Sequence, residues 1–240
     1  WSASIRNRII ATQPRYVILD LSVWPSVPNA DIAQVVASGI TMLAYVPTGG
    51  MRGFIWNSLD TTVKTPAGIK NLIAQAYGKG FNGIFFDEGG VYTPVSGQTY
   101  NDIFLDITFP APGRNASTIN SRIISVVGNS RYNAATADSW LGLTANEYIS
   151  YAKARGMFVC VGAPDQYVRS SRIASNIFPY VDAILTSEEY NGRAPVGQEI
   201  SFIGKCWVLS YSGAYSATNT NKARAYGFRA AYNTQSMGTL

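Results

Sequence analysis

The chain has 240 residues with a formal net charge of +5, and 47% of them are hydrophobic while only 14% are charged. Such a length is common for one barrel domain, and the apolar share suffices for a sizeable core. Histidine is absent and no run of Lys and Arg interleaves with aromatic residues, which excludes a His-based triad and most zinc sites and argues against nucleic acid as a partner.

Short apolar runs alternate with amphipathic segments along the chain. Strands are predicted at 16–21, 41–46, 83–86, 157–161, 183–186, near 200–211 and at 228–232. Helices are predicted at 2–12, 29–38, 66–79, 144–155, 169–178 and around 219–226. Asn29 or Asp31 is the expected N-cap of the second helix, and Gly39 is expected to end it. No segment approaches the length of a membrane span.

Strand–helix alternation with short connections is typical of parallel strands joined by right-handed crossovers. Seven strands are predicted, and an eighth is expected near 54–56 or in a split of 200–211. No Gly-x-Gly-x-x-Gly follows the first strand, so a dinucleotide site has no support and no cofactor is predicted. The sequence therefore predicts an α/β fold, a single (β/α)8-like TIM barrel over residues 1–240.

Residues 91–140 interrupt this alternation with several prolines and many Asn, Ser and Thr residues. The stretch is too long for an ordinary connection, so we interpret it as an insertion on the loop face after the third recognisable strand. It contains an N-glycosylation sequon, Asn115-Ala116-Ser117. The low charge and the 15 tyrosines favour a secreted or cell-surface protein, or a subunit that buries much of its surface in an assembly. The start at Trp1 indicates a trimmed chain or a removed signal.

Two cysteines, Cys160 and Cys206, each lie in an apolar run that is predicted to be a strand. Buried free thiols are the first interpretation, because cysteine is among the most buried residue types. A disulfide between the two is the alternative for a protein outside the cell.

Two adjacent carboxylates, Asp87 and Glu88, follow the predicted strand 83–86 and precede two glycines. Hydrophobic strands do not end in paired acids for stability, because a buried carboxylate needs a partner. Acids at the C-terminal ends of parallel strands lie where barrel enzymes carry their chemistry. The alternative is a strand end with solvated acids that cap the next helix.

Other predicted strand ends carry Asp20, Tyr45 and Glu188, which are expected at the same edge of the sheet. Glycosidic bond cleavage needs one carboxyl group kept protonated and a second kept ionised. Only one of two adjacent acids on a strand end can point into the barrel mouth, and Glu188 is a candidate for the opposing group. The aspartates lack calcium-loop spacing, so no metal site is predicted. The aromatic residues that can stack on sugar faces, each otherwise a core or rim residue, are Trp24, Tyr45, Tyr92 and Tyr190.

Three segments resemble the spherulin-four-like family of glycoside-hydrolase-related barrels. Residues 83–88, Gly-Ile-Phe-Phe-Asp-Glu, are similar to that family's Gly-hydrophobic-Phe-Phe-Asp-Glu signature. Residues 44–49, with Arg52 beyond them, are similar to its Gly-Tyr-Val-x-Thr segment with a following Arg, and residues 182–188 to its strand that ends in Thr-Phe-Glu. The order and spacing of the segments fit across residues 16–232, apart from 91–140.

This resemblance implies a TIM barrel that cleaves an amino-sugar-containing polysaccharide. The residues that it implies as catalytic are Asp87, Glu88 and Glu188. The residues expected to bind substrate are Asp20, Trp24, Tyr45, Arg52, Tyr92 and Tyr190.

A second hypothesis is a non-catalytic extracellular subunit whose insertion and tail, residues 91–140 and 233–240, form assembly contacts. Heterologous contacts between identical copies would then give filaments or tubes. A carbohydrate-binding barrel without turnover is the third hypothesis. The expected partner is therefore a polysaccharide substrate or ligand, or further copies of the chain.

Overall fold

The structure, a computed structural model, describes residues 1–48, 66–87, 145–162, 178–187, 190–210 and 217–233. Its helices are α1 (Ala3–Thr12), α2 (Asn29–Ala37), α3 (Pro66–Lys79), α4 (Ala145–Lys153), α5 (Glu199–Phe202) and α6 (Ala217–Ala225). Its strands are β1 (Tyr16–Leu19), β2 (Thr41–Pro47), β3 (Gly83–Asp87), β4 (Phe158–Gly162), β5 (Ala183–Ser187), β6 (Cys206–Ser210) and β7 (Ala230–Asn233). Short 3-10 turns lie at Trp24–Ser26, Phe178–Tyr180 and Ile203–Lys205.

The strands follow one another in the sheet in chain order, β1 to β7, and the registered pairs are parallel. This is the strand order that repeated strand–helix units produce when each crossover returns the chain next to the preceding strand. The predicted α/β fold of TIM-barrel type is confirmed. The chain divides into two compact units, Trp1–Val159 and Cys160–Leu240.

The predicted start of the strand near 200–211 is wrong. Residues 200–205, expected to begin a strand, form the end of α5 and a 3-10 turn, so β6 starts only at Cys206. Phe202 and Ile203 pack against the buried cluster around Cys206 and Val208, which favours helical geometry over the alternating pattern. The other position proposed for an eighth strand, 54–56, and the insertion 91–140 lie outside the described residues.

The start of α2 also differs from the prediction. The residue before the helix is Pro28, and no side chain caps this end. Asp31 lies in the first turn and accepts hydrogen bonds from the Trp1 indole N–H at 2.7 Å and from the Arg6 guanidinium at 2.6 Å. The carboxylate that was expected to cap α2 therefore joins α1 to α2. The end of the helix is as predicted, because Gly39 follows it with φ 89°.

In the first unit, the pleat of β2 and β3 separates two faces. One face packs under the helices and is almost fully buried; its residues include Met42, Ala44, Val46, Ile84 and Phe86, each 0% exposed. Tyr148 of α4 lies on this side, with its ring 4.8 Å from that of Phe86. The opposite face carries Leu43, Tyr45, Gly83, Phe85 and Asp87, since Leu43 pairs with Gly83 and Tyr45 with Phe85. We call it the site face.

Candidate functional site

Asp87 is the last residue of β3, and its half-buried side chain lies on the site face. The phenol O–H of Tyr45 donates a hydrogen bond to Oδ2 of Asp87. The Tyr45 ring packs against Phe85, with 5.8 Å between ring centroids. A carboxylate, a phenol and an apolar ring thus lie together at the C-terminal edge of β2 and β3, where the sequence predicted chemistry.

The backbone of Asp87 is held as firmly as its carboxylate. Thr48 follows β2 directly, is 0% exposed, and donates to the Asp87 carbonyl oxygen from both its backbone N–H, at 3.1 Å, and its hydroxyl, at 2.7 Å. Thr48 was not predicted as a site residue, although the Gly-Tyr-Val-x-Thr segment that residues 44–49 resemble has a threonine at this position.

Asp20 follows β1 at the same edge of the sheet. Tyr16 pairs with Thr41 and Ile18 with Leu43, so alternation places Asp20 on the strand positions of the site face. The carboxylate is exposed, and its Oδ1 accepts from the backbone N–H of Ser22 at 2.8 Å and from the Ser22 hydroxyl at 2.6 Å. Asp20 therefore stabilises the turn after β1 while presenting negative charge to solvent.

Two residues predicted to bind substrate belong to the core. Trp24 is 0% exposed, packs edge-on against Phe81 at 5.8 Å, and donates its indole N–H to the Tyr45 carbonyl at 3.1 Å. Tyr190 is 4% exposed, packs edge-on against Phe228, and donates its hydroxyl to the Arg193 carbonyl at 2.8 Å. Because both rings are covered by protein, neither can stack on a sugar in this structure. Tyr45 is half-buried and stays a candidate.

Four further predicted site residues, Arg52, Glu88, Tyr92 and Glu188, lie outside the described residues, and their roles stay predictions. Among the residues that the structure describes, no three His, Cys, Asp or Glu side chains form a group that could hold a metal ion. In the same part of the chain, no helix is long and apolar enough to cross a membrane.

The two cysteines are buried free thiols, as the first interpretation held, and the disulfide alternative does not occur in the structure. Cys160 pairs with Ala183 and Cys206 with Ile184, and these neighbours on β5 point to opposite faces of the sheet. The two sulfur atoms therefore lie on opposite sides of the strands, which prevents a bond between them.

A buried acid that the sequence did not single out lies after β5. Glu199 is 0% exposed and accepts from Arg193, from the backbone N–H of Val196 at 2.8 Å and from the Thr186 hydroxyl at 2.5 Å. These bonds fasten residues 190–199 to the end of β5. Glu199 is thus a structural carboxylate in a chain with only 14 acids.

Comparison with solved structures agrees with this architecture. The glycoside hydrolase domain of PelA from Pseudomonas aeruginosa aligns over 96% of this chain and 91% of that one, with 11% identity and a TM-score of 0.51. D-allulose 3-epimerase from Methylomonas sp. aligns over 100% and 81%, with 10% identity and a TM-score of 0.51. An L-ribulose 3-epimerase aligns over 99% and 77%, with 12% identity and a TM-score of 0.51.

The fold is that of a TIM barrel. At 10–12% identity these likenesses show the fold alone. No protein-family model matches the chain, and no curated protein matches its sequence.

Proposed function

We propose that the protein is a glycoside hydrolase that cleaves a polysaccharide at the C-terminal edge of its strands, with Asp87 as one of its two reacting carboxyl groups. The observation that carries this proposal is the half-buried carboxylate of Asp87, held by the Tyr45 phenol beside the apolar ring of Phe85. A carboxylate so placed has a defined orientation and a partly dry environment, both of which glycosidic bond cleavage requires.

The phenol hydrogen bond indicates the role of Asp87. A donor directed at a carboxylate oxygen stabilises the ionised form over the protonated form. Asp87 therefore suits the ionised partner of the pair, which acts as nucleophile or base at the anomeric carbon. The protonated partner falls to an acid that the sequence predicted, Glu188 or Glu88.

The proposed substrate class is an amino-sugar-containing polysaccharide. The support is the resemblance of residues 83–88, 44–49 and 182–188 to the spherulin-four-like barrels, together with a fold shared with a glycoside hydrolase domain. Exposed Asp20 adds negative charge at the same edge and suits a sugar that carries a protonated amine. We further propose that the protein acts outside the cell, where such polymers occur.

The test is release of reducing ends from galactosaminogalactan and from partially deacetylated chitin. We expect Asp87→Asn and Glu188→Gln to lower the rate by about 10²–10⁴-fold, the usual contribution of a positioned acid or base. Comparison of Glu88→Gln with Asp87→Asn shows which of the two adjacent acids takes part in the reaction. Asp182→Asn is the matched control, because Asp182 precedes β5 at the opposite end of the strand. Activity that persists unchanged in the Asp87, Glu88 and Glu188 variants would refute the assignment.

A second candidate function is a non-catalytic subunit that binds carbohydrate or self-assembles. Large apolar side chains that are strongly exposed in the second unit favour it: Tyr180 is 56%, Ile200 67% and Tyr226 43% exposed. Apolar side chains that lie together on a surface mark protein contacts, and this candidate function requires that these three do so. Light scattering and electron microscopy at high protein concentration test the idea, and a protein that remains monomeric rejects assembly.

A further inference from the structure

The Asp87 residue is fixed at two separate points, one on its side chain and one on its backbone. Tyr45 donates to the carboxylate, and Thr48 donates twice to the carbonyl. We call this group the Tyr45–Asp87–Thr48 unit. All three residues belong to the first compact unit of the chain, and Tyr45 and Thr48 lie three residues apart on and just after β2.

Thr48 supplies an unusual number of donors to one acceptor. A carbonyl oxygen has two lone pairs, and the N–H and the hydroxyl of Thr48 occupy both at ordinary hydrogen-bond lengths. The N–H of Thr48 is the parallel-ladder donor to this carbonyl, one residue beyond the Pro47–Asp87 pair. The hydroxyl is therefore not needed to satisfy an isolated carbonyl, because the backbone N–H already does so.

Tyr45 is itself held at both ends. The Trp24 indole N–H donates to its carbonyl at 3.1 Å, one residue beyond Ala44, where the pairing with β1 stops. Phe85 packs against its ring, and the phenol then reaches the carboxylate of Asp87. Rigid backing of this kind fixes the direction from which the phenol approaches.

We propose that Tyr45 and Thr48 are positioning residues that hold the Asp87 carboxylate in one orientation for reaction. This inference rests on the proposed function for the reaction that it serves, and on geometry alone for the orientation. Thr48 acts through the Asp87 backbone carbonyl, to which it donates. Tyr45 acts through the carboxylate oxygen to which it donates.

Kinetics give the first test. Thr48→Val keeps the shape and the backbone N–H but removes the hydroxyl. We expect it to lower kcat about tenfold with KM within about twofold, because a displaced Asp87 carboxylate affects the chemical step more than substrate binding. Thr48→Ser should restore most of the rate. Tyr45→Phe should move the acidic limb of the pH–rate profile to higher pH, because the ionised carboxylate loses a donor. Tyr148→Phe is the matched control, because its phenol packs on Phe86, on the helix side of β3.

A second measurement needs no activity. Carboxyl carbon resonances of isotope-labelled protein can be followed against pH, with Asp87→Asn identifying the Asp87 signal among the 14 side-chain carboxyls. We expect the titration midpoint of Asp87 to move to higher pH in Tyr45→Phe and by a smaller amount in Thr48→Val. It should not change in Thr48→Ser or Tyr148→Phe. If Thr48→Val does not fold, the Ser and Phe variants carry the test.

The outcomes separate the two proposals. If the wild type cleaves no carbohydrate but the Asp87 midpoint rises in Tyr45→Phe and Thr48→Val, the hydrolase assignment is rejected and the positioning of Asp87 is supported. An Asp87 midpoint that is the same in wild type, Tyr45→Phe and Thr48→Val rejects the positioning role, whatever the activity. Equal loss of kcat in Thr48→Ser and Thr48→Val also rejects it for the Thr48 hydroxyl.

Discussion

Arg193 binds both carboxylate oxygens of Glu199, with nitrogen–oxygen distances of 2.6 and 2.9 Å. The Glu199 side chain is 0% exposed, whereas the Arg193 side chain is 21% exposed. The pair therefore places one charge wholly inside the protein and leaves the other at the surface. Thr186 and the Val196 backbone complete the coordination of the buried oxygens.

Replacement of Arg193 should lower the free energy of unfolding. Arg193→Met leaves a buried carboxylate without its cation, and we expect a loss of about 3 kcal/mol in the free energy of unfolding. Urea denaturation measures it. In the double variant Arg193→Met, Glu199→Leu, much of that loss should be recovered, because no uncompensated charge remains. An Arg193→Met protein as stable as Arg6→Met, whose carboxylate partner Asp31 keeps 15% of its side chain exposed, would contradict this.

The junction of α1 and α2 should respond to acid. Hydrogen bonds from Trp1 and then Arg6 lower the pKa of Asp31 below its ordinary value of 3.8. A lowered folded-state pKa stabilises the fold above the unfolded-state value, and this stabilisation disappears as pH falls through the folded-state value. We therefore expect wild type to be more stable than Asp31→Asn at neutral pH and the difference to close below about pH 4. Denaturation of both proteins at pH values from roughly 2.5 to 7 checks this. A stability difference that grows in acid would contradict it.

Gly83, the first residue of β3, lies where a side chain would crowd its neighbours. A Cβ there would lie 3.1 Å from Leu43 Cγ, 3.1 Å from the Phe158 carbonyl oxygen and 3.3 Å from Phe158 Cβ. We expect Gly83→Ala to destabilise the protein by about 1–3 kcal/mol through overpacking. Gly78→Ala is the matched control: its Cβ would meet nothing within 4 Å, and alanine in α3 should stabilise by about 0.5–1 kcal/mol. Thermal melts that rank the two variants in the reverse order would contradict the packing described.

Both thiols should be unreactive in the folded protein. Burial raises the pKa of Cys206 to about 12 and raises the pKa of Cys160 well above its ordinary value. Because the thiolate is the reactive form, we expect a chromogenic disulfide reagent at about pH 8 to detect no thiol in native protein and two in denaturant. Absence of thiols in the denatured, unreduced protein would show that a disulfide exists after all.

Part of the candidate site could be predicted from the sequence because its signal is local. Strand-length apolar runs and helix-period patterns identified β1 to β5 and their parallel order, with bounds within about two residues. The position of Asp87 at a strand end follows from the same pattern, since the apolar run of β3 stops there. The helix α5, of four residues, and the 3-10 turn that follows it, of three, were missed because segments this short do not show whether the period is that of a helix or of a strand.

Only tertiary structure decided which aromatic residues face the site. Trp24 and Tyr190 are of residue types that stack on sugars, yet both rings are buried in the core. Their partners there, the Tyr45 carbonyl and Phe228, are 21 and 38 positions away. The partner of Tyr45, Asp87, is likewise 42 positions away. Patterns within a few residues report burial and period, whereas contacts of this separation depend on how the strands pair. Local sequence patterns therefore determined the parallel strand order and the acid at the end of β3. The pairing of the strands decided that Tyr45 and Thr48 are the partners of Asp87.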